Sequence, residues 1–194
     1  MQVYLIRHAE VDYTGVADPS AVRLTPIGEE QAKRVAEQFA AWDVQFLCAS
    51  TMVRAEMTAD AVSARLPHLL RWDLEELQEM SAADLQDQPT AGPLTSTWTP
   101  KLLRLGLDRT WSRVMAAWAR IRLYAETYGM ERVAIISHGY PIKMMLLNWL
   151  GYDWRANERL RFPVDFASSS RVTLGDADAA SGTTVQFDWL NRLP

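Results

Sequence analysis

The 194-residue chain holds one cysteine and three histidines. A lone thiol excludes an intramolecular disulfide and supplies too few thiolates for a cysteine-based metal site. Cys48 lies in the apolar run Val44-Gln45-Phe46-Leu47-Cys48-Ala49 and reads as a buried structural residue. No apolar run approaches the roughly 18 residues a membrane helix requires. The N-terminus lacks a basic stretch followed by an apolar one, so no signal peptide is expected. Charge of one sign is also missing: 20 Lys and Arg against 24 Asp and Glu leave a net −4, with no nucleic-acid footprint. No internal repeat or low-complexity segment is present. The expectation is a cytoplasmic enzyme or binding domain with no nucleic-acid or membrane partner, a homodimer being left open. The length suits a single domain over residues 1–194.

What is there alternates between short apolar runs and amphipathic stretches. Residues 2–6 and 44–48 read as buried strands, 69–74 as a weaker one and 132–136 as another clear one. Thr25-Pro26 is a cap-and-proline start for a helix to about residue 41, with Ala32, Val35, Ala36 and Phe39 on one face. Ser50 is placed to cap a second helix over about 51–65, Asp108 a third over about 109–128, and Pro141 opens a fourth that Gly151 closes. Residues 171–174 and 184–189 read as two final strands. The stretch 81–108 is rich in Pro, Gly, Ser, Thr and Asp at its start and reads as an inserted loop or lid. Trp42, Trp111, Trp118 and Trp149 fall at helical spacing and read as core. His68, beside Pro67, reads as surface. Alternating strands and helices predict an α/β fold, a three-layer α/β/α arrangement around a mostly parallel sheet. In such sheets ligands bind beyond the carboxyl ends of the strands.

Chemistry-bearing residues recur at those ends. Arg7-His8 follows the first strand, Ser50 to Arg54 the second, Glu75-Glu76 the weaker third, and Ser137-His138-Gly139 the last clear one. Singly, each has a plain reading as solvated surface, turn residue or helix-surface ion pair. Together they bring two arginines, two histidines and a carboxylate to one edge of the sheet. Leu5-Ile6-Arg7-His8-Ala9-Glu10, Leu24-Thr25-Pro26-Ile27-Gly28-Glu29-Glu30-Gln31-Ala32, Ser50-Thr51-Met52-Val53-Arg54-Ala55-Glu56-Met57-Thr58-Ala59 and Val133-Ala134-Ile135-Ile136-Ser137-His138-Gly139 resemble, in order, the motifs of the histidine phosphatase superfamily. The resemblance covers residues 2 to about 151 and implies the phosphoglycerate mutase-like fold.

It also implies a mechanism. His8 would be the nucleophile that forms a phosphohistidine, with Arg7, Arg54 and His138 around the phosphoryl group and no metal or cofactor. The Leu74-Glu75-Glu76 pattern puts Glu76 in the place of the general acid, with Glu75 as the fallback. Glu10, Lys101 and Arg104 are candidates for contact with the rest of a substrate, a phosphorylated small molecule or phosphoprotein. This chain departs from the family pattern in three places. Ala9 stands for a glycine, Met80 for a glycine with no Trp-Glu-Gly after it, and Ala167-Ser168-Ser169 lacks an asparagine found in many members. Sequence features typical of the mutases are missing too. The leading expectation is therefore a metal-independent phosphatase acting on a phosphomonoester or phosphohistidine. A phosphoglycerate mutase-type phosphotransferase and a catalytically weak phosphate-binding module are the alternatives.

Overall fold

The computed structural model describes residues 1–85, 99–178 and 182–194. Its centre is a six-stranded mixed sheet of order β3-β2-β4-β1-β5-β6. The strands are β1 (Gln2–Arg7), β2 (Phe46–Ser50), β3 (Leu70–Leu74), β4 (Arg132–Ser137), β5 (Ser169–Asp178) and β6 (Gly182–Arg192). β3, β2, β4 and β1 run parallel; at one edge β5 pairs antiparallel with β1, and β6 antiparallel with β5.

Helices α1 (Pro26–Trp42), α2 (Val53–Arg65), α3 (Pro100–Thr127) and α4 (Gly139–Trp149) cover the two faces. The period-two pleat assigns the strand side chains. Val3 and Leu5, Phe46 and Cys48, and Val133 and Ile135 join the core under α3 and α4. Tyr4 and Ile6, Leu47 and Ala49, and Ala134 and Ile136 join the core under α1 and α2. Burial on both faces explains why these strands read as unbroken apolar runs. Cys48 is fully buried, and burial pushes its thiol up in pKa.

α1 starts as its sequence foretells: Thr25 Oγ1 accepts the Gly28 N–H at 3.0 Å and proline follows the cap. Gly28 is required there, because a Cβ would sit 2.2 Å from the Glu10 carbonyl oxygen.

Three local expectations are corrected. Ser50 does not cap α2. It ends β2, and the cap position falls to Met52, which offers no side-chain bond. Asp108 does not open the third helix. α3 begins two turns earlier, at a second Thr-Pro start in which Thr99 Oγ1 accepts the Leu102 N–H at 3.3 Å. Asp108 instead holds the 3-10 turn Trp154–Glu158, accepting from Trp154 Nε1 and Arg155 Nη2, both at 2.9 Å. The expected insertion at 81–108 is consequently shorter. Ala82–Leu85 is a 3-10 turn and residues from Pro100 onward are helical, while 86–98 lie outside the described residues. Among the described residues no helix is long and apolar enough to cross a membrane.

Candidate active site

After β1 the chain leaves for α1 on one face; after β4 it leaves for α4 on the other. The two neighbouring strands therefore part at their carboxyl ends and open a crevice, the place where such sheets bind ligands. Parallel register fixes what lines it. Arg7 pairs with Ser137, so the next residue on each strand, His8 and His138, must be neighbours. Their ring centroids are 5.0 Å apart.

His8 is 1% exposed. Its Nδ1 lies 2.8 Å from the Ala9 carbonyl oxygen, which can only accept, so Nδ1 carries the hydrogen and Nε2 the lone pair. Arg54 agrees with that tautomer, donating its Nε–H to His8 Nε2 at 3.1 Å. Burial first, then the Arg54 charge, drives the His8 pKa well below the ordinary histidine value; the Ala9 bond opposes this and Arg7 adds to it. His8 is thus neutral at physiological pH.

Arg54 rises from the first turn of α2 and is nearly buried. Its Nη1 donates to the Pro19 carbonyl at 2.7 Å and its Nη2 lies 3.1 Å from Met52 Sδ. Arg7 donates Nη1 to the Val164 carbonyl at 2.7 Å, and its guanidinium lies over the Phe166 ring at 4.0 Å. Buried Arg7 Nε has no hydrogen-bond partner among the described residues. Desolvation lowers the pKa of both arginines, yet an arginine stays protonated at any working pH.

His138, also fully buried, places Nε2 2.7 Å from Ser50 Oγ. Ser50 Oγ also accepts the Met52 N–H at 3.3 Å. Buried His138 Nδ1 has no hydrogen-bond partner among the described residues. Burial, followed by His8 and Arg54, holds the His138 pKa well below the usual value. Both histidines are uncharged beside permanent cations, a site built to receive negative charge rather than to supply it.

The carboxylate that meets this cage is Glu79. The Glu75–Leu77 3-10 turn carries Glu76 outward, where it pairs with Arg120 of α3 and lines an open depression of about 580 Å³ with Asp73, Asp84 and Arg113. Glu75 is exposed. Glu79 turns the other way. Its Oε1 accepts the Met80 N–H at 3.0 Å and its Oε2 the Tyr140 N–H at 3.2 Å, two residues past His138. Burial raises its pKa; the two N–H bonds and then the charges of Arg54 and Arg7 pull against that rise. Sequence reasoning missed Glu79 because a Leu-x-Glu pattern does not reveal which acid a 3-10 turn faces inward.

The segment bearing Glu79 is held from α3. Arg113 donates to the carbonyls of Glu76 (2.8 Å), Gln78 (2.6 Å) and Glu79 (3.1 Å), and its Nε donates to Asp84 at 3.0 Å. Ser137 Oγ adds a bond to the Leu77 carbonyl at 2.7 Å.

The other expected contacts lie elsewhere. Glu10 accepts the Thr25 hydroxyl at 2.9 Å and so braces the start of α1. Lys101 and Arg104 are exposed on the first turns of α3. His68 is exposed at the far end of the sheet. Ala9 is no obstruction: its methyl is wholly buried in the α1/α2 core and its N–H meets Thr58 Oγ1 at 3.1 Å. Where an asparagine was expected, Ala167 takes a left-handed φ of 57°, a conformation asparagine and glycine tolerate better than alanine. That strained residue donates its N–H to the His8 carbonyl at 3.1 Å, and Ser168 O accepts the Arg7 N–H at 3.1 Å.

Comparison with known proteins agrees with this geometry. The family model of the histidine phosphatase superfamily (branch 1) matches residues 3–182. The chain belongs to that superfamily. It is an enzyme of the phosphatase class. A probable phosphoglycerate mutase GpmB of Enterobacter sp. (strain 638) is 27% identical over 96% of this chain and 92% of its own length. The mitochondrial serine/threonine-protein phosphatase Pgam5 of Drosophila erecta is 28% identical over 92% of this chain, which spans 60% of that protein. Among solved structures, the alpha-ribazole phosphatase of Shigella flexneri shares the fold at a TM-score of 0.71 and 21% identity, covering 98% of this chain and 96% of that one. A mycobacterial glucosyl-3-phosphoglycerate phosphatase does so at 0.74 and 16%, covering 98% and 99%.

Proposed function

We propose that this histidine phosphatase hydrolyses a phosphomonoester through a phosphohistidine on His8, without a metal. The observation that carries the reading is the His8 tautomer. Nδ1–H is committed to the Ala9 carbonyl, and the Nε2 lone pair faces a guanidinium. When a phosphoryl group arrives, Arg54 redirects the hydrogen bond it now gives Nε2 to a phosphoryl oxygen, keeping its own proton, and frees the lone pair. Nε2 attacks phosphorus as the phosphorus–ester oxygen bond breaks. Arg7, Arg54 and His138 hold the equatorial oxygens, so the charge is met by groups already in place. Glu79, protonated, gives its proton to the departing alkoxide. The resulting carboxylate then takes a proton from the water that attacks phosphohistidine, releasing inorganic phosphate and restoring both groups.

The test is trapping. A chromogenic phosphomonoester should leave acid-labile phosphate on His8, and His8→Ala should lose both the label and the turnover. Activity within tenfold of the parent in His8→Ala would sink the mechanism. The likeness to a probable mutase over 96% of the chain supports one competing reading. Release of inorganic phosphate, as against an isomerised ester, separates the two.

A further inference from the structure

Beside the cage lies a second, apolar cavity of about 170 Å³. It is walled by Leu103 and Leu107 of α3, by Tyr140, Lys143, Met144 and Leu147 of α4, and by Trp154, Asn157 and Glu158 of the following 3-10 turn. The α4 residues follow the i, i+3, i+4, i+7 stripe of one helix face, so the wall runs about 10 Å away from the α4 N-terminus. That N-terminus is the cage: His138 caps α4 and the Tyr140 N–H is bonded to Glu79. Tyr140 belongs to both places. Its ring lines the cavity, and its hydroxyl is pushed up in pKa by burial and by the Glu79 charge.

We propose that this cavity is the subsite for the alcohol half of the substrate, which makes the substrate a small phosphomonoester with a compact apolar body. The inference rests on the catalytic reading above, in which the leaving oxygen lies beside Glu79, the carboxylate bonded to the Tyr140 N–H. The volume sets the size: an apolar cavity of about 150 Å³ holds a benzene ring, so a group of about six carbons fills this one. Lys143 and Glu158, of opposite sign at the wall, leave no net charge to demand an ionic tail. Leu103 and Leu107 of α3 line the cavity, whereas Lys101 and Arg104, expected to meet a charged substrate, are exposed.

The test uses non-hydrolysable n-alkylphosphonates, methyl to octyl, titrated into the full chain by calorimetry. Affinity should rise by up to about fourfold per methylene over the carbons that enter the cavity, then level off. In Leu103→Trp, which fills the cavity, the increments should vanish. A thermal melt confirms that Leu103→Trp folds. Affinity flat with chain length, increments that survive in Leu103→Trp, or phosphoserine peptides that bind more tightly than every phosphonate would overturn the proposal. Because phosphonates need no turnover, an absent phosphohistidine with intact increments would strike the mechanism and spare the subsite.

Discussion

Glu76 and Glu79 carry the same side chain on one short segment, yet their surroundings give them opposite uses. Arg120 holds Glu76 as a surface ion pair. Glu79 has backbone N–H groups, two nearby guanidinium charges and a raised pKa. A general acid matters in proportion to how poorly the leaving group departs unaided. Glu79→Gln should therefore cut the hydrolysis of alkyl phosphates by about 10²–10⁴-fold and that of 4-nitrophenyl phosphate far less. Glu76→Gln should leave both within severalfold. Steady-state kinetics on the two substrates distinguishes the acids; equal losses in both variants would return the assignment to Glu76. The pH profile follows from the same pair. His8 must be neutral, and its pKa is lowered; Glu79 must be protonated, and its pKa is raised. The active form lies between those two values. The kcat/KM of the parent should fall on the alkaline side as Glu79 ionises, and this limb should be missing in Glu79→Gln.

Arg113 shows how an element can act on a site it does not touch. One guanidinium on α3 gathers three carbonyls of residues 76–79 and the Asp84 carboxylate. Where this chain lacks the glycine and the Trp-Glu-Gly of its family, Met80 is buried in the core and Arg113 pins the backbone beside it. Arg113→Ala takes this guanidinium from those carbonyls and from the nearly buried Asp84 carboxylate, which keeps the Ser81 N–H. A loss of about 2–3 kcal/mol in stability is expected, at the upper end for bonds to a charged group. It should come with a kcat loss on alkyl phosphates larger than that on 4-nitrophenyl phosphate, because Glu79 loses its placement. Denaturant melts and the two-substrate comparison check it. A uniform loss across both substrates would mean Arg113 only holds the fold.

The whole chain inherits a pH dependence from its buried site. His8 and His138 have folded pKa values well below the ordinary histidine value, while the unfolded chain titrates near it. As pH falls below about 6.5 the unfolded state binds protons that the folded state refuses, so folding loses up to about 1.4 kcal/mol per pH unit for each histidine. Glu79 works in the opposite sense: its raised pKa makes the folded state bind the extra proton, recovering part of that loss. With two groups against one, the urea midpoint should be lower at pH 5.5 than at pH 7, and His8→Asn should flatten the difference. A midpoint unchanged or higher at pH 5.5 would refute the linkage.

Much of this was legible in the chain alone. Buried strands announce themselves as short apolar runs, and Arg7-His8, Arg54 and His138 fall at strand ends that parallel pairing must bring together. Local chemistry of the Thr25-Pro26 kind also reads directly, since a cap depends only on its own neighbours. What needed the folded chain were facts set by side-chain direction and long-range contact. Ser50 looks like a helix cap until β2 lies beside β4 and its hydroxyl meets His138. Glu79 looks like one acid among three until a 3-10 turn rotates the first two outward. The apolar subsite joins α3, α4 and the turn after it, from Leu103 to Glu158, whose proximity no local pattern encodes. Periodicity and caps are written within a few residues of sequence; which of several like side chains faces the crevice is decided only when distant elements close around it.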